Sequence, residues 1–197
     1  MAEEIKENSP VQKGGNKYLS FVWELVKVAV IAFVIVAPIR YFLFQPFIVS
    51  GASMAPNFAT GDYLIIDEIS YRFSAPQRGD VVVFDAGFIE NYKGQKFIKR
   101  VIGLPGETVE VVNGKVEVTK DGTKIALSEK YLPSDLETQG DIKITLEQNQ
   151  YFVLGDNRAY SYDSRMWGVL DKKEIIGKAA LRLLPITEIS TISRPVY

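Results

Sequence analysis

Two side chains carry most of the chemical potential of this sequence. One is Ser53, in the stretch IVSGASMAPNF from Ile48 to Phe58; the other is Lys99, in QKFIKRVIGLPGE. Gly51 and Ala52 leave room for a substrate backbone to approach the serine, and Pro56 restricts the turn that follows. A serine hydroxyl becomes a nucleophile only when a base takes its proton. The usual base is absent, because the 197 residues contain no histidine. That excludes a Ser-His-Asp triad and a His-ligated zinc. There is no cysteine either, so disulfides, thiolate metal sites and cysteine nucleophiles are excluded. Acid-base work near neutral pH falls to Asp, Glu, Lys or Tyr with shifted pKa values, and lysine is the natural substitute.

If the run around Lys99 is a strand, alternation puts Lys99 on one face with Phe97 and Val101. A lysine between apolar neighbours on an inward face is desolvated, which lowers its pKa. An unperturbed lysine is neutral in only roughly one molecule in two thousand at pH 7. A lowering worth about 3–4 kcal/mol makes it a serviceable base. Periodicity alone fits equally a lysine that snorkels out of a half-exposed strand. Arg100 points to the opposite face, toward a salt bridge or the surface. A third cluster, LGDNRAYSYDSRMWG from Leu154 to Gly168, is too polar for a strand and reads as a packed, hydrogen-bonded loop. Ser161, Asp163 and Arg165 alternate in it, so an extended backbone sets them on one side. Asp163 and Arg165 can form a fixed ion pair, and Ser161 can bond a neighbouring amine. An ordinary turn-rich surface loop has the same composition.

The elements that must position these groups begin with an apolar segment, LSFVWELVKVAVIAFVIVAPIRYFLF, from Leu19 to Phe44. Its uncharged core, Val28 to Ile39, is shorter than the roughly 18–20 residues a bilayer needs. Counting back to Ser20 restores the length if Glu24 and Lys27 lie near the headgroups. Tyr41, Phe42, Phe44 and Phe47 then read as an aromatic belt. A buried core helix fits the same segment; a cleaved signal peptide fits less well, because no small-x-small site closes the run. Lys6, Lys13, Lys17 and Lys27 precede the core, whereas after Arg40 the next basic residue is Arg72. This asymmetry puts the N-terminus in the cytoplasm and the rest outside. Beyond the anchor come short β-type runs: DYLIIDEI, GDVVVF, KFIKRVIG, TVEVV, KVEV, TKIAL, IKITL, QYFVL and KAALRLL. Asn113-Gly114 and Asp121-Gly122 tolerate positive φ, so residues 108–127 form a meander. The expected fold is mostly β: one transmembrane helix followed by an antiparallel β-rich ectodomain. The expected organisation is a tail at 1–18, the anchor and its flank at 19–44, the ectodomain at 45–190 and a C-terminal tail at 191–197. With 23 basic and 24 acidic residues, no basic face for nucleic acid is indicated.

Together the three stretches closely resemble type I signal peptidases, membrane-anchored serine proteases that remove signal peptides from exported proteins. SGASMAP resembles their Ser-Met-x-Pro box, GDYLIID and RGDVVVF the strands that follow, KRVIGLPGE their lysine box, and GDNRAYSYDSRMWG their Gly-Asp-Asn-Arg…Ser-x-Asp-Ser-Arg box. The boxes appear in the family's order between about residues 40 and 184. The resemblance implies that Ser53 is the nucleophile, its backbone N–H an oxyanion donor, and Lys99 the general base. It also implies that the Ser161 hydroxyl orients the lysine amine, and that Asp163 and Arg165 form a supporting ion pair. A short variable insert falls within about residues 107–149. No cofactor and no metal are implied; the partners are signal peptides and the lipid bilayer. The sequence departs from the pattern at Gly51, where some members carry a serine that helps the oxyanion. It departs also at Asn57 and Phe58, where Thr-Leu is more common, and at Tyr160, where Asn is frequent. Two other readings fit parts of the chain: a self-cleaving SOS-type repressor, which lacks a membrane helix, and a tethered β-domain that only binds a partner.

Overall fold

The computed structural model describes residues 17–42 and 44–197. The tail expected at 1–18 therefore falls, up to residue 16, outside the described residues, as do the side chains of Tyr41, Phe42 and Phe44 of the expected aromatic belt. The chain forms two compact units, one ending at Arg40 and one spanning Tyr41–Tyr197. Helix α1 runs from Lys17 to Phe42. Its 19-residue stretch Tyr18–Val36 is long and apolar enough to cross a membrane. Glu24 and Lys27, one turn apart, pair at 2.8 Å, which offsets two charges inside that stretch.

The second unit contains strands β1 (Phe44–Ile48), β2 (Tyr63–Asp67), β3 (Val81–Asp85), β4 (Lys96–Gly103), β5 (Thr108–Val112) and β6 (Lys115–Lys120). They are followed by β7 (Thr123–Ala126), β8 (Ile142–Thr145), β9 (Gln150–Leu154), β10 (Leu170–Asp171), β11 (Ile175–Leu184) and β12 (Ser190–Thr191). Among the described residues two single-turn α-helices interrupt them, α2 (Ser70–Phe73) and α3 (Ser164–Trp167). One antiparallel sheet has the order β1-β2-β11-β3-β4-β9-β10, with β12 added to β11. A second, β7-β6-β5-β8, fills the expected insert. All nine apolar runs contain a strand, and both Asn113 and Asp121 adopt φ of 50°, as the hairpins require.

Strand β3 shows why the sheet needs cover on both faces. Val81 and Val83 enter one core cluster with Met54, Phe58, Leu64, Ile66 and Ile98. Val82 and Phe84 enter another with Val101, Tyr151 and Val153. A continuous apolar run is the mark of a strand buried on both sides. Strand β1 holds Pro46 and sits at the sheet edge, where a missing N–H costs no ladder bond. Residues 191–197, expected as a tail, are tied back onto the unit. Ile192 N–H donates to the Ala180 carbonyl at 2.9 Å, Arg194 pairs with Asp80 at 2.6 Å, and the Tyr197 ring meets that of Tyr131.

Candidate active site

Strand β4 carries Lys99, a residue only 4 % exposed. Phe97 and Val101 pack in the same core cluster, and the ammonium lies 5.2 Å from the Phe97 ring centroid. This is the face that alternation assigned to it. Lys99 Nζ donates to Ser53 Oγ at 2.8 Å and to the Ile98 carbonyl at 2.9 Å. Burial pushes its pKa down from 10.5 to about 8, with the Asp163 and Asp156 carboxylates pulling the other way. At pH 7 roughly one molecule in ten then holds a neutral amine. The fold thus sets a serine hydroxyl against a buried amine whose pKa is lowered.

The turn that presents Ser53 is fixed from below and from both sides. Met54, fully buried with Val49 and Phe58, roots the turn in the core, so its neighbour Ser53 faces outward. Thr60 Oγ1 accepts from the Gly51 N–H and donates to the Gly51 carbonyl. Gly51 has φ of +93°, a left-handed conformation in which a serine is strained. That accounts for the glycine at this position. Asn157 holds the other side: its N–H donates to the Ser53 carbonyl and its Nδ2 to the Ala52 carbonyl, both at 3.0 Å. Among the described residues no acceptor takes the Ser53 N–H.

Arg100, on the opposite face of β4, is buried rather than at the surface. Its Nε and Nη2 grip both oxygens of Asp156 at 2.8 and 2.6 Å, and Nη1 donates to the Gly79 carbonyl. The salt-bridge alternative is the one the fold uses. Asp156 also receives Asn57 Nδ2 at 2.9 Å, which gives the unusual Asn57 a role beside the turn. Phe58, the other departure, fills the core and lies 5.0 Å from the Arg182 guanidinium.

The 155–165 segment is a packed polar loop. Asp163 is buried and accepts from Arg165 Nε at 2.8 Å, Arg165 Nη2 at 2.9 Å and the Gly155 N–H at 3.0 Å. The backbone is not extended through to Arg165. Asp163 is the N-cap of α3, its side chain accepting from the Arg165 N–H, so the chain turns helical after it. The ion pair forms through the cap instead. Among the described residues the buried Ser161 Oγ has no hydrogen-bond partner, and the second acceptor of the Lys99 amine is the Ile98 carbonyl. Gly155 brings these parts into contact: a Cβ there would lie 2.1 Å from Ser161 Oγ and 2.4 Å from the Ser53 carbonyl.

Ser53 and Lys99 line a groove of about 540 Å³ together with Phe47, Ile48, Gly51, Phe97, Ile98 and Tyr160. A second cavity, of about 420 Å³, has its charges spent in pairs: Lys178 with Asp67 and Arg194 with Asp80. Among the described residues no group of three or more acidic side chains is placed to hold a metal. Sequence reasoning missed Gly155, Asp156 and Asn157 as individuals. The signal for Asp156 was Arg100, a cation on a strand face that needed a partner.

The chain matches the family described as signal peptidase, peptidase S26, over residues 22–184. A signal peptidase I of Leptolyngbya laminosa is 35 % identical, covering 98 % of this chain and 90 % of that protein. A signal peptidase I of Bacillus licheniformis is also 35 % identical, covering 90 % of this chain and 96 % of that protein. A crystal structure of a signal peptidase I from Enterococcus faecalis V583 is 31 % identical, with a TM-score of 0.45, covering 54 % of this chain and 98 % of that one.

Proposed function

The chain belongs to the signal peptidase I family, peptidase S26, a family of serine endopeptidases that remove signal peptides, and we propose that Ser53 and Lys99 are the dyad with which it does so. The observation that carries this reading is a buried lysine amine 2.8 Å from a serine hydroxyl that opens into a groove.

Neutral Lys99 takes the Ser53 proton as Oγ attacks the scissile carbonyl. The oxyanion receives the Ser53 N–H, which has no competing acceptor among the described residues. Lys99 then hands its proton to the departing amine, which leaves the mature chain free and the signal peptide as an ester on Ser53. Water, giving a proton to the same lysine, attacks the ester; the proton returns to Ser53 as the carboxylate leaves. Asp163 and Arg165 hold the loop that backs the dyad. Ser161 supplies a buried hydroxyl with no competing partner among the described residues, available to the lysine when it becomes an ammonium.

Signal peptides of exported preproteins are the substrates. They bind extended along β1, whose outer edge pairs with no other strand among the described residues and whose last residues line the groove. Helix α1 is the membrane anchor, and confinement to one bilayer raises the effective concentration of enzyme and substrate. The N-terminus lies in the cytoplasm and residues 45–190 on the extracytoplasmic side of the cell membrane; the lysine asymmetry around α1 supports this. Cleavage of a purified preprotein tests the dyad. Ser53→Ala and Lys99→Ala should each be inactive, and the double variant no worse than either. Near wild-type cleavage by either single variant contradicts the assignment.

A further inference from the structure

Arg158 is the largest of the fully buried side chains, and nothing in the dyad chemistry uses it. A buried guanidinium has five N–H donors to satisfy. Here every one is placed. Nε donates to the Gly155 carbonyl at 3.1 Å; Nη1 donates to Glu129 Oε2 at 2.7 Å and to Thr138 Oγ1; Nη2 donates to Glu129 Oε1 at 2.5 Å and to the Tyr131 hydroxyl at 3.1 Å. Glu129, Tyr131 and Thr138 all come from the segment between β7 and β8, outside the boxes that carry the chemistry. Gly155 is the residue packed against the Ser53 carbonyl and the Ser161 hydroxyl.

The same segment reaches the dyad's surroundings a second way. The Tyr131 ring centroid lies 4.3 Å from the Arg100 guanidinium, so the ring covers the Arg100–Asp156 pair. Its hydroxyl donates to Glu129 Oε1 at 2.6 Å, and its carbonyl accepts from Asn57 Nδ2 at 3.1 Å. Asn57 lies in the nucleophile turn and also bonds Asp156. Residues 129–131 thus contact the 155–165 loop through Arg158, the lysine strand through Arg100 and the serine turn through Asn57. These are the three pieces whose relative placement sets the distance from Ser53 Oγ to Lys99 Nζ.

We propose that Glu129, through its two-pronged pair with Arg158, and Tyr131, through the hydroxyl that bonds both partners of that pair and the ring that covers Arg100, are positioning residues for signal-peptide cleavage. They form a latch from the inserted segment that holds Gly155 and the serine turn at the lysine. The inference rests on Ser53 and Lys99 being the reacting pair. The latch acts on the placement of reacting atoms, so its loss appears in the chemical step and leaves peptide binding along β1 unchanged.

The test uses the full-length chain in detergent and a signal-peptide substrate, with kcat and KM measured at least 20 °C below each variant's own Tm. Glu129→Gln keeps the shape and removes the charge. It should lower kcat by about 10–100-fold with KM within about twofold. Arg158→Gln should do the same, and the double variant should be no worse than the poorer single, because the two act as one unit. Tyr131→Phe keeps the ring over Arg100 and tests the latch should an Arg158 variant not fold; it should lower kcat by about 2–10-fold. A merely structural role lowers Tm and leaves kcat at wild-type level. Folded Glu129→Gln and Tyr131→Phe with kcat within twofold of wild type, a loss confined to KM, or additive losses in the double variant each overturn the proposal. Ser53→Ala in the same assay separates the two readings: if it still cleaves, the dyad has failed, and if it is inactive while Glu129→Gln is normal, only the latch has.

Discussion

Replacing Lys99 with methionine should make the protein more stable at neutral pH, and the gain should fade as pH rises. The amine is buried beside Phe97, and burial lowers its pKa from 10.5 to about 8. A lysine depressed in this way binds more protons unfolded than folded, so stability rises with pH between the two values. The cost is full below about pH 8 and is gone above 10.5. At pH 7 it amounts to about 3 kcal/mol. Methionine has a similar length, suits the surface of an aromatic ring and carries no charge to desolvate. It cannot donate to the Ile98 carbonyl or to Ser53 Oγ, which offsets about 1–2 kcal/mol of the gain. The net advantage at pH 7 is then about 1–2 kcal/mol. The offset does not depend on pH, whereas the titration does, so the comparison across pH isolates it. Between pH 7 and 9.5 the advantage should shrink by about 2 kcal/mol, or about 4–8 °C in Tm for a chain of this size. Thermal unfolding of both proteins in one detergent, followed by tryptophan fluorescence, reads this directly. A Tm difference that stays constant from pH 7 to 9.5 refutes the reasoning.

Gly155→Ala should lower kcat by about 100-fold or more, because the new methyl overlaps the Ser53 carbonyl and must displace the serine turn by about 1 Å; steady-state kinetics at wild-type level would show that the turn gives way freely. Ser161→Ala should lower turnover by about one to three orders of magnitude with no loss of Tm, since the hydroxyl has no partner to lose in the resting state. Equal cleavage rates for that variant and the wild type remove Ser161 from the mechanism. For topology, the cysteine-free background allows single probes: a cysteine at Ser128 should react with an impermeant thiol reagent in intact cells and one at Ser9 should not, the opposite pattern reversing the orientation.

Most of what positions the dyad is local in sequence. Alternation around Lys99 identified its face because β4 is a regular strand from Lys96 through Val101. The Asn-Gly and Asp-Gly pairs identified hairpins because only a few residues tolerate that backbone. The rest depends on contacts between distant segments. Arg100 could face a partner or solvent as far as period shows; Asp156, fifty-six positions away, decides it. Glu129 and Tyr131 lie in a loop with no periodic pattern, so their reach to Arg158 and Arg100 had no sequence signal. Strand β1 escaped the list of apolar runs because Pro46 interrupts it, and it survives as a strand only by lying at an edge. Arg165 is where the loop's alternation does not carry through. Asp163 followed by Ser-Arg is a helix start as readily as an extended run, and the cap won.

The central claim is that a buried Lys99, its pKa lowered to about 8, is the base for Ser53, and the pH dependence of kcat/KM for preprotein cleavage tests it most directly. A lysine with a pKa of about 8 in the free enzyme gives an acidic limb centred there, below which the rate falls about tenfold per pH unit as the amine takes up its proton. An acidic limb above roughly pH 9.5, where an exposed lysine titrates, or a profile flat from pH 6 to 9, would contradict the account.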